Sequence, residues 1–315
     1  MKYSAMFHHF HDDKHLKSDG GGSISAFDFN VIIDYIEENY NLITPDEFTQ
    51  KVVNKSIKQS HICLTFDDSL KCQFDIAYPV LEKRKLKAFF FVYSGAFSEN
   101  PPFLEFFRDF RFNFFSNINH YYDSFFEVIR IKYVKEYNAF LKNYKANYLS
   151  NYSFYSINDK KYRFLRDVVL KDKYFEVVLD MMHEKNYSIS IRKKSLFQSS
   201  DEIKILHDKG HTIGLHSHNH PTRIDLLSYK DQLQDYTKNY EFINSITNKK
   251  ITSMAHPLGN YSNDTLKVLK KLGILVGFRD SLTPSTIKSA LEIPREDHTN
   301  ILNTIQKNEN NSLYK

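Results

Sequence analysis

Apolar residues recur along the chain in two alternating patterns, one typical of buried strands and one typical of amphipathic helices. Short apolar runs at 3–7, 61–66 and 87–93 predict buried strands. The segments 27–36 and 70–85 space their apolar residues as one face of a helix does. A strand, a helix and a strand within about 30 residues form a βαβ unit, which predicts parallel strands.

Near the N-terminus, a short strand at 42–43 also precedes a helix whose first turn contains Pro45. The alternation of strands and helices resumes after residue 200. This order of elements predicts an α/β fold with a parallel sheet. The helices predicted in the second half are 203–209, 229–246 and 263–272, and the strands are 211–215, 251–255 and 274–278.

Residues 98–200 have a different character, rich in aromatic residues and then in Tyr and Lys. We interpret this segment as a mostly helical insertion that interrupts one domain, formed by 1–97 and 201–315. Its aromatic residues either pack against that domain or line a substrate cleft as stacking platforms. A glycine-rich run at 19–23 predicts a loop. The phenylalanines of the insertion's first part are Phe103, Phe106, Phe107, Phe110, Phe112, Phe114 and Phe115.

Composition narrows the class of protein. Hydrophobic residues make up 41% of the chain and charged residues 26%, as in ordinary globular proteins. The net charge of +5 is small and scattered, so no nucleic-acid partner is expected. Cys63 and Cys72 form no disulfide framework, and Cys63 is predicted to be a buried thiol.

No apolar stretch reaches the roughly 18 residues that span a bilayer, and no signal peptide is evident. We therefore expect a cytoplasmic protein unless it is processed from a precursor. Its oligomeric state stays open.

Three groups of polar residues follow predicted strands, where parallel α/β barrels gather their catalytic groups. The first is Asp67-Asp68, which ends the run 61–66. Two carboxylates at a turning strand end can face one pocket, but burying them together is costly without a cation or a shared proton. An Asp pair alone is weak evidence, since most such pairs are turns or helix caps.

The second group contains alternating histidines after the strand at 211–215. His216 and His220 are four residues apart, which suits one face of a helical turn and a shared metal ion. His218 should point elsewhere. The third group is the turn 255–261, whose Pro257 and Gly259 can present a backbone N–H to a developing oxyanion.

Together these groups fit a metal-dependent hydrolase. One Asp and two His leave positions on a metal ion for water and a substrate carbonyl. A second Asp can take the proton of that water, and a backbone amide can stabilise the oxyanion.

These motifs resemble those of the NodB-homology polysaccharide deacetylases, carbohydrate esterase family four. The resemblance rests on Thr65-Phe66-Asp67-Asp68, on the histidine segment 210–221 and on the loop Pro257-Leu258-Gly259, and it covers roughly residues 3–95 and 200–298. It implies a distorted (β/α) barrel of about seven parallel strands, and removal of N-acetyl groups from a sugar or glycan.

The resemblance also implies a role for individual residues. Asp67 becomes the general base, and Asp68, His216 and His220 become ligands of one divalent ion, zinc or else nickel, cobalt or manganese. Ser217 would hydrogen-bond within the site, and the N–H of Leu258 would be the oxyanion donor.

Two departures from the family pattern matter. The third motif usually has an Arg where this chain has Ala255, so Arg295 is proposed to orient Asp67, although an ordinary surface Arg is an equal interpretation.

The second departure is that no C-terminal motif supplies the general acid. The N-terminal Phe7-His8 resembles the poly-N-acetylglucosamine deacetylases, so His8 is predicted as the acid, with His9 and His298 as rivals. His11 and His15 are assigned to a polar loop.

The leading hypothesis is a sugar N-deacetylase that acts on a surface polysaccharide or its precursor. One alternative is a deformylase or another amide hydrolase on the same barrel. Another is an inactive carbohydrate-binding member, which the missing third-motif Arg keeps open.

Overall fold

The computed structural model describes residues 2–15, 22–99, 101–150, 155–280 and 285–312. Most of the predicted glycine loop, residues 19–21, lies outside these ranges, whereas Gly22 is described and has a φ of 66°. In the described part of the chain, each helix is too short or too polar to cross a lipid bilayer.

A sheet of parallel strands forms the core of the first compact unit. Seven strands lie in the order β7-β6-β5-β4-β3-β1-β8, and β2 pairs with β3 beside this path. Every pairing is parallel. The arrangement confirms the predicted distorted (β/α) barrel with a helical insertion. The strands are β1 (Ser4–Phe7), β2 (Asn41–Leu42), β3 (His61–Phe66), β4 (Phe89–Val92), β5 (Thr212–Leu215), β6 (Ser253–Ala255), β7 (Val276–Phe278) and β8 (Glu296–Asp297).

Helices connect and cover the strands. Side chains that cap their first turns define where many of them begin, as Ser25 and Asp28 do in a reciprocal capping box before α1. The helices are α1 (Ala26–Asn39), α2 (Pro45–Val53), α3 (Tyr78–Arg84), α4 (Leu104–Asp109), α5 (Ile118–Lys132), α6 (Val134–Asn143), α7 (Ile157–Phe164), α8 (Tyr174–Glu184), α9 (Ile189–Leu196), α10 (Ser200–Asp208), α11 (Tyr229–Thr247), α12 (Asn263–Lys271) and α13 (His298–Ser312).

The predicted helix over 70–85 is not a single α-helix. A π-helical turn, Gln73–Ala77, precedes α3. The physical reason is Pro79, which has no N–H and whose ring would clash with the carbonyl of Asp75 in a regular α-helix. A wider turn before the proline relieves this clash.

One segment near the C-terminus joins the two edges of the sheet. Ile293 pairs in parallel with Phe278 of β7, and β8 a few residues later pairs with β1. Gly277 allows the close approach, because a Cβ there would lie 2.7 Å from the Leu291 carbonyl oxygen. The apolar pattern predicted neither β8 nor α13. A strand of two residues such as β8 has no periodicity.

Buried phenylalanines from several strands and α2 fill the interior beside β3. Phe48, Phe89, Phe91 and Phe278 belong to one core cluster together with Cys63. Both cysteines are buried and unbridged, as predicted for Cys63.

The second compact unit comprises residues 103–192 and is helical. Phe106, Phe107 and Phe110 are buried, and the ring of Phe110 packs against the ring of Tyr187 from the same unit. A buried Asp109 carboxylate accepts hydrogen bonds from Tyr187 and Arg192. The aromatic residues therefore form much of this unit's own core.

Candidate active site

The end of β3 presents two adjacent carboxylates. The Asp67 amide donates to the Phe7 carbonyl of β1 at 3.1 Å, which continues the parallel ladder by one residue. The chain then turns sharply, because Asp68 and Ser69 adopt left-handed conformations with φ of 78° and 56°. Such conformations are unfavourable for residues other than glycine, and they persist where surrounding contacts impose them. The turn lets both carboxylates lie within 4 Å of His216.

Arg295 binds Asp67 through two parallel hydrogen bonds. Nη1 donates to Oδ1 at 2.7 Å and Nη2 donates to Oδ2 at 2.6 Å. Nε donates to the Arg279 carbonyl at 2.6 Å, which fixes the plane of the guanidinium. Arg295 is 1% exposed and Asp67 is 2% exposed, so this is a buried bidentate pair and not a surface contact.

The charges around Asp67 keep it ionised. Burial alone would raise the pKa of Asp67, but Arg295, His216 and His8 together hold it below its ordinary value. A carboxylate that carries its charge in a buried site can accept a proton from a polarised water molecule.

Asp68, His216 and His220 bring three possible ligand atoms together. The two imidazole Nε2 atoms are 3.2 Å apart, and each lies 3.3 Å from Asp68 Oδ1. Ligands about 2.0–2.2 Å from a tetrahedral zinc ion lie roughly 3.3–3.6 Å from one another. The spacing of the three atoms therefore fits one face of a tetrahedral metal site. Among the described residues, this is the group of His, Cys, Asp and Glu side chains that could hold a metal ion.

The hydrogen bonds and charges of these residues also fit a cation. Asp68 Oδ1 is buried and makes no hydrogen bond of ordinary geometry within the described ranges. Burial would lower the pKa of His216, yet Asp67 and Asp68 raise it above its ordinary value. Burial would raise the pKa of Asp68, but His216, His220 and His8 lower it. The pocket thus favours added positive charge.

Further hydrogen bonds orient His216. His216 Nδ1 lies 2.8 Å from the Ala255 carbonyl oxygen, so it carries the proton and Nε2 keeps its lone pair for a metal ion. The His216 amide donates to Asn239 Oδ1, and the Asn239 amide group donates to the Val92 carbonyl. The position of His216 is therefore fixed by β4, β6 and α11 together.

The loop that carries His216 and His220 is not a helical turn, contrary to the prediction. Ser217 and His220 have φ of 64° and 48°, which a right-handed helix excludes. The Ser217 hydroxyl accepts the His220 amide at 2.9 Å, and Asp235 accepts the amides of His218 and Asn219. These contacts close the loop so that two histidines four residues apart still meet.

His8, one of the three histidines considered for the acid, lies beside both carboxylates. Its Nε2 is 3.7 Å from Asp67 Oδ2 and 3.9 Å from Asp68 Oδ2, and its side chain is 28% exposed. His298 is buried instead and contacts the carbonyl oxygens of Met6 and Gly22. His9 stacks on His8, with ring centroids 6.3 Å apart.

The turn after β6 carries Leu258. Pro257–Gly259 forms a short 3-10 turn in which Leu258 has a φ of 50° and is half exposed. Gly259 has a φ of 69°, and a Cβ there would lie 2.5 Å from the Asp280 carboxyl carbon. The turn thus depends on a residue without a side chain. The same turn begins just after Ala255, whose carbonyl oxygen accepts a hydrogen bond from His216 Nδ1.

Sequence reasoning missed the polar residues that support the site. Asn239 and Asp235 occupy one face of α11, four residues apart, and both are buried. Buried polar residues on a helix face are a usable signal, because such groups need specific partners. Gln73, whose side chain donates to the carbonyls of His8 and Asp67, gave no comparable signal in the sequence.

The fold and site together define a class: a parallel α/β barrel with carboxylates and imidazoles gathered at the carboxyl ends of its strands. The family model for polysaccharide deacetylase matches residues 54–111 and 170–277, which is more than half of the chain. The protein therefore belongs to the polysaccharide deacetylase family, whose members are deacetylating hydrolases. The matched ranges include Asp67, Asp68, His216, His220 and Leu258.

Solved structures share the fold. A Streptococcus pyogenes deacetylase, PplD, in complex with acetate is 16% identical, with a TM-score of 0.54 over 96% of this chain and 98% of its own. IcaB from Ammonifex degensii is 16% identical, with a TM-score of 0.55 over 93% and 90%. A de-N-acetylase from Aggregatibacter actinomycetemcomitans is 14% identical, with a TM-score of 0.54 over 94% and 95%. A search of curated proteins finds no match.

Proposed function

We propose that this protein is a metal-dependent N-deacetylase that acts on an N-acetylated sugar of a surface polysaccharide or its precursor. The observation that carries the proposal is the triangle of Asp68 Oδ1 and the two histidine Nε2 atoms beside the Asp67–Arg295 pair. A divalent ion held there, zinc by its preference for two imidazoles and one carboxylate, would act as a Lewis acid toward an acyl oxygen and water.

The residues of the chain divide the remaining work. Asp67, ionised and held by Arg295, accepts a proton from the attacking water. The N–H of Leu258 donates to the oxyanion that forms on the acetyl carbon. His8, partly exposed beside both carboxylates, donates a proton to the leaving amine. Water thereby adds to the acetyl carbon, the C–N bond breaks, and acetate and a free amino sugar result.

The Arg295 pair favours an active enzyme over a carbohydrate-binding member that has lost catalysis. This chain has Ala255 at the position of the usual third-motif Arg. An Asp buried without a counter-charge would be costly, and the two hydrogen bonds from Arg295 offset part of that cost. Another segment of the chain thus supplies the missing charge.

Acetate release from oligomers of N-acetylglucosamine by the zinc-loaded protein tests the proposal. We expect Asp67→Asn to lower kcat by about 10²–10⁴-fold, because it removes the general base. The zinc content should stay near that of the wild type, since Asp67 is not among the three ligands. Asp13→Asn, at an exposed position, is the matched control.

A wild-type protein that releases no acetate with zinc, nickel, cobalt or manganese would overturn the proposal. Release of formate from an N-formyl sugar, without acetate release, would instead favour the deformylase alternative.

A further inference from the structure

The strained turn at Asp68 and Ser69 is supported by residues just after α9, which belong to the first unit. The Gln198 amide donates to the Ser69 carbonyl at 2.9 Å, and its side-chain amide donates to the Leu70 carbonyl at 3.2 Å. Phe197 also forms an antiparallel bridge with Leu70. Two residues therefore hold the backbone immediately after the metal-ligand candidate Asp68.

Phe197 also reaches the surroundings of His220 through an aromatic contact. The ring of Phe197 meets the ring of Tyr93 edge to face, with centroids 5.7 Å apart. The ring of Tyr93 in turn lies 5.2 Å from the ring of His220. All three side chains are buried, so they cannot move independently in a close-packed interior.

Phe197 and Gln198 are thus in contact with the surroundings of two of the three candidate ligands. Asp68 and His220 both have positive φ and depend on their neighbours to stay in that conformation. Gln198 is 2% exposed, and its Oε1 is buried without a hydrogen bond among the described residues. The Gln198 side chain leaves one buried polar atom without a partner in the described part of the chain, while it donates to the turn that carries Asp68. Since an unpaired buried polar atom costs stability, we attribute this side chain to orientation of the turn and not to stabilisation of the fold.

We infer that Phe197 and Gln198 are positioning residues that set the affinity of the site for its metal ion. The inference rests on the proposed function, because it assumes that Asp68, His216 and His220 hold a metal ion. It also assigns a task to the first residues after α9, which is to hold the strained turn at Asp68 and Ser69.

Competition of the full-length protein with a chromophoric chelator for Zn²⁺ tests this inference. We expect Gln198→Met to weaken Zn²⁺ binding about tenfold, as loss of an orienting contact typically does. Phe197→Leu, which removes the ring against Tyr93, should weaken it in the same direction. Gln306→Met and Phe27→Leu, both at exposed positions, are matched controls and should bind Zn²⁺ as the wild type does.

The denaturation midpoint of the metal-free protein separates positioning from a merely structural role. A positioning role predicts weaker Zn²⁺ binding with a midpoint that stays near that of the wild type in Gln198→Met. Wild-type Zn²⁺ affinity in both variants would overturn the inference, while acetate release by the wild type would leave the proposed function intact. If the wild type binds Zn²⁺ but releases no acetate, the proposed function fails and weaker binding by the variants still supports the inference. Phe197→Leu keeps the test decisive should Gln198→Met not fold.

Discussion

At the scale of the residue, the proposed chemistry depends most on the buried pair of Asp67 and Arg295. Its two hydrogen bonds are shorter than 2.8 Å and both partners are almost fully buried. Removing one member of such a pair leaves a buried charge without compensation, which typically costs about 3–5 kcal/mol.

Arg295→Met should therefore reduce both stability and activity. Because Arg295 lowers the pKa of Asp67, its removal should raise that pKa and move the acidic limb of the pH profile of kcat/KM to higher pH. Arg295→Lys keeps a charge but not the paired geometry, and should give an intermediate profile. The measurement is acetate release across pH at saturating metal.

Arg223→Met is the matched control, because Arg223 also donates two hydrogen bonds to one carboxylate, that of Asp225, at an exposed position. Exposed pairs contribute little, so its pH profile and stability should match the wild type. An unchanged acidic limb in Arg295→Met would show that Arg295 does not set the charge of Asp67.

At the scale of the element, β7 and the segment after it illustrate how a strand positions a side chain across the sheet. Gly277 donates to the Ala290 carbonyl and accepts from the Ile293 amide. These bonds place the chain that leads to Arg295. A Cβ at position 277 would lie 3.0 Å or closer to backbone atoms of Leu291, which cannot move as a flexible side chain can.

Gly277→Ala should push segment 290–295 away from β7. We expect a loss of about 1–3 kcal/mol of unfolding free energy, as for other overpacked sites, and a fall in kcat larger than any rise in KM. Denaturant unfolding and acetate-release kinetics measure the two effects. Leu275→Ala, at an exposed position directly before β7, is the control. Equal kcat in Gly277→Ala and the wild type would contradict this account.

Strand β5 begins beside a buried histidine that makes stability depend on pH. Burial, with Lys87 nearby, lowers the pKa of His211 to about 4. The unfolded chain, with an ordinary pKa of about 6.5, binds this proton more readily. Stability from His211 is therefore present above pH 6.5 and is lost as the pH falls toward 4.

His211→Gln should reduce this dependence. Between pH 7 and pH 5, the unfolding free energy should fall by about 2 kcal/mol less than in the wild type, as the two pKa values require. Denaturant titrations with a chelator present measure the difference, and exposed His183→Gln is the control. Parallel curves for His211→Gln and the wild type would show that His211 is not the responsible group.

At the scale of the molecule, the pattern of apolar residues predicted most strands and helices of the barrel. It could do so because buried parallel strands are nearly continuous apolar runs. It also placed Asp67, Asp68, His216 and His220 at strand ends, where the structure brings them together. The pattern gave the wrong conformation for 216–220, since positive φ at Ser217 leaves no trace in residue type. It could not decide the contact of Arg295, because the partners are 228 residues apart.

Under the proposed function, zinc should stabilise the folded protein by binding to Asp68, His216 and His220. A metal ion at 100 times its Kd raises the unfolding free energy by about 2.7 kcal/mol if it binds the folded state alone. Asp68→Asn should lose most of this gain. Thermal unfolding with zinc and with a chelator measures it, and Asp13→Asn should behave as the wild type does. An equal gain in Asp68→Asn would place the ion elsewhere.

The segment that joins β7 to β1 also has a consequence for how the protein is made. The ribosome synthesises Asp67 long before Arg295, and at about 5–20 residues per second the 228 residues between them take roughly 11–46 s. Throughout this time the nascent chain carries the Asp67 carboxylate without the counter-charge of Arg295. The first strands can pair while the chain emerges, but the buried charge of Asp67 gains its partner only once Arg295 has been synthesised.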